Sequence, residues 1–187
     1  MRKSIAKIAT TALAAPVVGA LLLTGAPASA AASSAPAAAP AVKAEPYNRF
    51  TVSVKYPRKV RKGGAITYVI RAVNHGPYAA DYYWLGGKLP KGTTGTVYYT
   101  GPKGTKCDFD SDGFWCYPPK VLEVGDQDFL ILKVKLKRGT TGTATARLGA
   151  FSADVPTGAE TLDKDLLLEL GIKTHYWWKT VKTKITR

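Results

Sequence analysis

The chain has 187 residues, of which 45% are hydrophobic and 21% are charged, and its formal net charge is +14 at pH 7. This length is enough for one domain with a single core. The positive charge favours attraction to polyanions and solubility, but it does not identify a partner.

The amino terminus has the pattern of a secretory signal peptide. A basic segment precedes an apolar core at 8–23, and Ala28-Ser29-Ala30 is a small-residue cleavage motif. Pro16 and Gly19 interrupt the core, whereas a membrane-spanning helix needs about 20 apolar residues. We therefore predict that residues 1–30 are a cleaved signal peptide and that the mature protein is secreted, without a membrane span.

The mature chain begins with an Ala/Pro-rich leader at 31–46, which we predict to be disordered. A single domain is then predicted over 47–187. The signal peptide holds three of the 27 basic residues, so cleavage leaves 24 basic and 13 acidic side chains and a net charge near +11.

Short β-rich runs follow one another along this domain. They are separated by turn signals such as Asn74-His75-Gly76-Pro77 at intervals of about 8–15 residues, a spacing typical of a sandwich or barrel. The predicted strands and hairpin are, in chain order, Phe50–Tyr56, Ala65–Val73, Ala79–Leu85, Thr96–Thr100, Lys106–Pro118, Phe129–Lys137, Thr143–Ala150 and Tyr176–Thr186.

One segment departs from the β pattern. Thr161–Leu170 places leucines at helical spacing, has two aspartates in its first turn and precedes Gly171. We expect a short helix that packs on the edge of the sandwich and connects the last two strands. The predicted fold class is all-β, an immunoglobulin-like antiparallel β-sandwich of about seven strands with this helix before the last strand.

Cys107 and Cys116 are the only cysteines in the sequence. An even pair in an exported chain predicts a disulfide. The alternatives are two free thiols or half of a metal site, but the two histidines lie far away in sequence.

The order of several turn and strand motifs resembles a bacterial surface module, the immunoglobulin-like family called domain of unknown function eleven, over about residues 50 to 152. The resemblance implies a seven-stranded sandwich with the cysteine pair as a local staple, and a non-catalytic role at or outside the cell envelope. This chain departs from the family by its single copy, its Leu-rich helix and its aromatic closing strand. The motifs are Gly64, Thr67-Tyr68, Asn74-x-Gly76-Pro77, Leu89-Pro90-Lys91-Gly92, Cys107, Cys116, Leu122, Gly125-Asp126, Leu130 and Gly142-Thr143-Ala144.

Basic residues fall at the outward positions of three predicted strands. If these strands are neighbours in one sheet, as in an immunoglobulin-like order, the cations share one outer face. Such a face can dock on anionic wall polymers or polysaccharides, and the alternative is a solvated face whose lysines discourage edge pairing. The residues are Lys55, Arg71, Lys133, Lys135 and Lys137.

Aromatic residues suggest an alternative function, a carbohydrate-binding module. Exposed aromatic rows can stack on sugar rings, although adjacent aromatics on a strand point to opposite faces and about half of them belong to the core. Trp84 is also a candidate for the interior of the sandwich. The candidate sugar-binding residues are Trp84, Trp115, Trp177 and Trp178.

The run Asp108-x-Asp110-x-Asp112-Gly113 matches the first half of a calcium loop. However, Pro119 stands where the bidentate glutamate belongs. The alternative is a polar hairpin tip that turns at Asp112-Gly113. We therefore expect no metal, with weak calcium binding as the alternative.

Catalysis has little support in this sequence. His75 and His175 are the only histidines, and no serine-hydrolase, zinc-protease or phosphate-loop motif is present. We predict a monomeric protein that is not an enzyme, needs no cofactor and, because it is exported, binds no nucleic acid.

Overall fold

The computed structural model describes residues 47–155 and 164–187, which form two β-sheets packed face to face. The predicted signal peptide and leader lie outside the described residues. The first three residues of the predicted helix, 161–163, also lie outside them.

The first sheet has four strands in the order β1-β3-β8-β5. These strands span Asn48–Lys55 (β1), Ala65–Pro77 (β3), Gln127–Leu136 (β8) and Thr93–Thr100 (β5).

The second sheet has six strands in the order β2-β10-β9-β4-β7-β6. These strands span Lys59–Arg61 (β2), Thr174–Thr186 (β10), Thr143–Ala153 (β9), Tyr83–Lys88 (β4), Gly113–Tyr117 (β7) and Lys106–Asp110 (β6). The helix α1, Lys164–Glu169, lies between β9 and β10 in the chain.

The architecture confirms the predicted all-β, immunoglobulin-like sandwich with a helix before the last strand. The described residues contain ten strands rather than about seven. One addition is β2, which lies in the predicted connector 58–64 and pairs in parallel with the end of β10. It forms because the backbone of this segment meets the free edge of β10, where Lys184 N donates to Arg58 O at 2.9 Å.

The main core lies between the two sheets. On β3 and β8 buried and exposed residues alternate, because successive side chains of a strand point to opposite faces. Ile66, Tyr68 and Ile70 of β3 are fully buried. They belong to one core cluster with buried leucines of β8, the neighbouring strand of the same sheet, and with alanines of β9 in the other sheet. Removing this apolar surface from water is the main force that holds the sheets together.

A buried asparagine organises the end of β3. The side chain of Asn74 donates from Nδ2 to Tyr78 O at 2.8 Å and to Leu122 O at 2.9 Å, and its Oδ1 accepts from Gly76 N at 2.9 Å. Residues 74–77 were predicted as a turn, but β3 continues through them to Pro77. The reason is that Asn74 is hydrogen-bonded to Leu122, in the segment that precedes β8.

The predicted disulfide is confirmed. Cys107 of β6 and Cys116 of β7 are bonded, and their Cα atoms lie 4.0 Å apart as directly opposite residues of the hairpin. None of the helical residues in 47–155 and 164–187 forms a segment long and apolar enough to span a membrane.

Candidate functional site

The outer face of the four-stranded sheet carries a group of exposed cations. Lys55 lies on β1, Arg71 on β3, and Lys133 and Lys135 on β8. All four are exposed, and the hydrogen-bonded order β1-β3-β8 places their strands side by side. The predicted placement on one sheet face is therefore observed, and we call these four residues the basic face.

The strand register shows how the basic face is arranged. Arg71 lies opposite Ser53 of β1 and Phe129 of β8. Lys133 lies opposite Thr67 of β3 and Tyr98 of β5. These two cations thus have hydroxyl or aromatic neighbours across the sheet, whereas Lys55 lies opposite Val69 and Lys135 opposite Ala65. None of the four lies opposite a carboxylate in this register.

Two further cations adjoin the basic face. Lys137, also predicted to belong to it, is exposed directly after the last residue of β8. Arg49 of β1 is exposed as well, although the sequence reasoning missed it because it precedes the predicted start of the strand.

The four strands of this sheet contain only one acidic residue, Asp128. Its side chain points into the sandwich, where Oδ2 accepts a 2.7 Å hydrogen bond from the Tyr83 hydroxyl. Among the described residues, the ion pairs involve Lys120 and Lys164 and none of the basic face. The cations of the basic face are therefore available to an external anion.

Apolar groups lie among these cations. Phe129 is 41% exposed and Tyr98 is 65% exposed, and the half-buried pair Val69 and Ile131 lies between the charged rows. The surface is thus mixed, with positive charge beside rings and aliphatic groups that can contact a polymer backbone.

The outer face of the six-stranded sheet is different because it carries a second apolar cluster. Trp84, Trp115 and Phe151 are buried there and alternate along their strands with residues of the main core. Leu167 of α1 is fully buried against them. We call this group, with the half-buried Tyr82, Tyr117, Tyr176 and Trp178 around it, the aromatic cluster.

The aromatic cluster corrects the predicted carbohydrate site. Trp84 and Trp115 are only 8% and 2% exposed, since α1 and neighbouring rings cover them. Trp84 lies in this cluster and not in the sandwich interior. Trp177 packs on the main core instead, and Trp178 lies under the Arg147 guanidinium at 4.5 Å. The four tryptophans therefore do not form one exposed row.

A buried lysine lies at the edge of the aromatic cluster. The Lys164 side chain is 1% exposed, and its Nζ lies 2.8 Å from Asp112 Oδ1, 3.2 Å from Asp165 Oδ1 and 3.5 Å from Asp110 Oδ2. Nζ also lies 5.7 Å from the centre of the Trp115 ring. No local pattern in the sequence predicted this contact, since Lys164 and Asp112 are 52 positions apart.

This arrangement bears on the calcium alternative. Asp110 and Asp112 face the Lys164 ammonium, and Asp108 Oδ1 accepts from the backbone N of Phe109 at 2.7 Å. Among the residues that the structure describes, no group of three or more acidic, histidine or cysteine side chains is arranged to hold a metal ion. The three aspartates thus do not converge as a calcium loop would require.

The charges in this group shift one another's pKa. Burial opposes the charge on Lys164, but the hydrogen bond and charge of Asp112 outweigh it and raise the lysine pKa. Burial raises the pKa of Asp110, against the opposing effect of Lys164. For Asp165, the hydrogen bonds from Ser111 and Lys164 outweigh burial and lower the carboxyl pKa.

A separate open cleft of about 450 Å³ lies beside the aromatic cluster. Tyr82 and Tyr117 line it with nearly parallel rings, 14° apart, and Asp81 and Lys120 stand at its rim. Burial and the Asp81 charge raise the pKa of Tyr117. Rings with neighbouring polar groups are the usual components of a small-ligand site.

No family model matches the chain, and no curated protein matches it. Among solved structures, the chain is similar to a cohesin module from a family 33 glycoside hydrolase of Clostridium perfringens, with a TM-score of 0.48 and 11% sequence identity. The similarity covers 74% of this chain and 98% of that module.

Proposed function

We propose that this protein is a secreted, non-catalytic module that docks on anionic polymers of the cell envelope through the basic face. The observation that carries the proposal is the outer face of the four-stranded sheet, where cations from three adjacent strands lie exposed and without a carboxylate. Its ligand would be a wall polyanion, such as a polymer of repeated phosphodiesters.

The charge distribution supports an electrostatic mode of binding. A surface of one sign raises the local concentration of oppositely charged ligands and speeds their encounter. The exposed Phe129 and Tyr98 add contacts that do not depend on charge. Binding by such a face is tolerant of polymer sequence and sensitive to salt, as an envelope-docking module requires.

Three features support export as part of the proposal. The amino-terminal pattern predicts a signal peptide, the domain contains a disulfide, and the motif order resembles an exported surface module. Disulfides persist in oxidising compartments, which include the outside of the cell. We propose membership of the domain of unknown function eleven family on the same motifs.

Retention on a phosphate-bearing matrix across a salt series tests this function. The mature protein should be retained at low ionic strength and be released as salt approaches about 1 M, where the screening length falls to about 3 Å. Elution already at ordinary ionic strength would show that the basic face is only a solvated surface.

Carbohydrate binding is the second candidate, and the cleft lined by Tyr82 and Tyr117 is the observation that favours it. A pyranose ring could stack on the tyrosines while Asp81 and Lys120 bind its hydroxyls. The affinity for the sugar should not change with salt concentration, because ring stacking does not depend on charge. The Tyr117→Ala variant should lose this binding. Titration with soluble chitin or peptidoglycan fragments, followed by intrinsic fluorescence, separates the two candidates.

A further inference from the structure

The surroundings of Lys164 are unusual for an ion pair. The side chain is almost fully withdrawn from water, and its Nζ lies above both Trp115 and Phe151, 5.7 and 5.6 Å from the ring centres. Its nearest partner, Asp112 Oδ1, is 2.8 Å away. A lysine amine that is withdrawn from water is therefore held in contact with a carboxylate whose side chain is 25% exposed.

Each oxygen of Asp112 has its own hydrogen-bond donor. Trp115 Nε1 donates to Oδ1 at 2.8 Å, and the Tyr176 hydroxyl lies 3.5 Å from Oδ2. Trp115 would thus stabilise the charge that develops on Oδ1 if the carbonyl carbon were attacked, as donors of an oxyanion hole do. Tyr176 is placed beside the other oxygen, which would leave.

We propose that Lys164 and Asp112 react with each other to form an intramolecular isopeptide bond. Nζ of Lys164 bonds to Cγ of Asp112, and the Cγ–Oδ2 bond breaks. The ammonium and the carboxylate together become one amide and one water molecule. Two of the three ammonium protons leave with Oδ2 as water, and the third stays on the amide nitrogen. The step needs no oxidant, reductant or further reactant.

Two carboxylates besides Asp112 contact Nζ, Asp165 Oδ1 at 3.2 Å and Asp110 Oδ2 at 3.5 Å. The pKa of Asp165 is lowered and that of Asp110 is raised, so Asp110 is the stronger base of the two. Asp110 can therefore take a proton from the ammonium and free the lone pair that attacks. Burial raises the pKa of Asp110, which makes its carboxylate a better acceptor for that proton. The raised pKa of Lys164 describes the ion pair before reaction, and transfer to Asp110 is the step that activates the amine.

A second lysine–aspartate pair in the chain provides a comparison. Lys120 Nζ lies 3.7 Å from Asp128 Oδ1, but the Lys120 side chain is 41% exposed. Water keeps that ammonium charged and competes for the carboxylate, and Tyr83 occupies Oδ2. Among the described ion pairs, only those of Lys164 combine a lysine side chain withdrawn from water with a second acid beside the first.

The bond would fasten the helix to the rest of the domain. α1 covers the aromatic cluster through Leu167, and Asp112 lies in the turn between β6 and β7, whose strands are linked by Cys107–Cys116. A covalent link between residues 52 positions apart limits the unfolded chain more than the short disulfide loop does. The isopeptide bond would thus keep α1 packed on the aromatic cluster outside the cell.

The intact mass of the secreted mature protein decides the proposal. After the disulfide is reduced, the folded wild-type protein should be lighter than its sequence by the mass of one water molecule. A protease digest should contain the Lys164 peptide joined to the Asp112 peptide. Full sequence mass in folded protein, or water loss located at other residues, would overturn the proposal.

Variants test the assignment of residues. Lys164→Arg keeps the positive charge but should have full mass, while Lys120→Arg should retain the loss of water. Asp110→Asn should slow the loss or abolish it, with folding checked by circular dichroism. An unchanged loss in Lys164→Arg would contradict the proposal. The result is independent of polyanion binding, since the basic face lies on the other sheet.

Discussion

The Tyr83 hydroxyl donates a 2.7 Å hydrogen bond to Asp128 Oδ2 inside the sandwich. Tyr83 belongs to β4 of the six-stranded sheet and Asp128 to β8 of the four-stranded sheet, so the bond joins the two layers. Asp128 is 2% exposed, and its other oxygen accepts from Phe129 N at 2.7 Å. The bond gives the buried Asp128 carboxylate a hydrogen-bond donor that it would otherwise lack. Asp128 is the only acidic residue in the four strands of its sheet, and its side chain points into the sandwich and away from the basic face.

Tyr83→Phe should destabilise the domain by about 1–3 kcal/mol, because it leaves the buried Asp128 carboxylate short of a donor. Tyr68→Phe is the matched control, since the buried Tyr68 hydroxyl has no hydrogen-bond partner among the described residues. Removing that hydroxyl should be neutral or stabilising. Urea denaturation of both variants measures the difference, and equal losses of stability would contradict the role given to Asp128.

Alkaline pH should destabilise the protein through the same two tyrosines. Burial raises the pKa of Tyr83, and the hydrogen bond and charge of Asp128 raise it further, while burial is the main cause of the raised pKa of Tyr68. A group whose pKa is higher in the folded state contributes stability below its unfolded pKa, about 10 for tyrosine, and this stability is lost as pH rises toward the folded value.

Phenolate absorbance and circular dichroism, followed together during an alkaline titration, check this expectation. Two tyrosines should remain un-ionised until the fold opens. Complete tyrosine ionisation with the fold intact would show that Tyr68 and Tyr83 are not protected.

The alternation of side chains predicted one half of the sandwich well. On β3 and β8, buried apolar residues repeat at every second position, so the orientation of Arg71, Lys133 and Lys135 followed directly from the sequence. The cysteine pair was predictable as well, because few alternatives exist for two cysteines in an exported chain.

The other half could not be predicted from local patterns. Trp84 and Trp115 are buried on the outer face of their sheet because α1 and neighbouring rings cover them. The alternation of side chains along a strand does not show whether another segment covers the outward face. The Asp110 and Asp112 side chains resembled calcium ligands because their partner, Lys164, comes much later in the chain. In both places a contact between segments distant in sequence decides the surroundings of the side chains.

Removing the disulfide should lower stability measurably. Cys107 and Cys116 are separated by nine positions, and the chain-entropy estimate for so short a loop is about 2.5–3 kcal/mol. The variant that carries Cys107→Ser and Cys116→Ser should therefore unfold at lower urea concentration, with an m-value close to that of wild type. An unchanged midpoint would mean that the hairpin is fixed by its packing alone.

Gly149→Ala should be strongly destabilising, because the added methyl group would overlap the backbone carbonyl oxygen of Trp177 on the adjacent strand. Overpacking of this kind costs about 1–3 kcal/mol or more. Gly139→Ala is the control, since a Cβ at Gly139 meets no atom within 4 Å. Thermal unfolding of the two variants compares them, and similar melting temperatures would contradict the close approach of β9 and β10.

Salt-dependent affinity for a linear polyphosphodiester, compared between two charge-matched variants, tests the central claim most directly. One variant carries Lys133→Gln and Lys135→Gln on the basic face. The other carries Lys182→Gln and Lys184→Gln at exposed positions of β10 in the six-stranded sheet. We predict that the first loses most of the binding and flattens the dependence on salt, while the second binds nearly as wild type does. Equal losses in both variants would show that only net charge matters and would contradict a docking site on the four-stranded sheet.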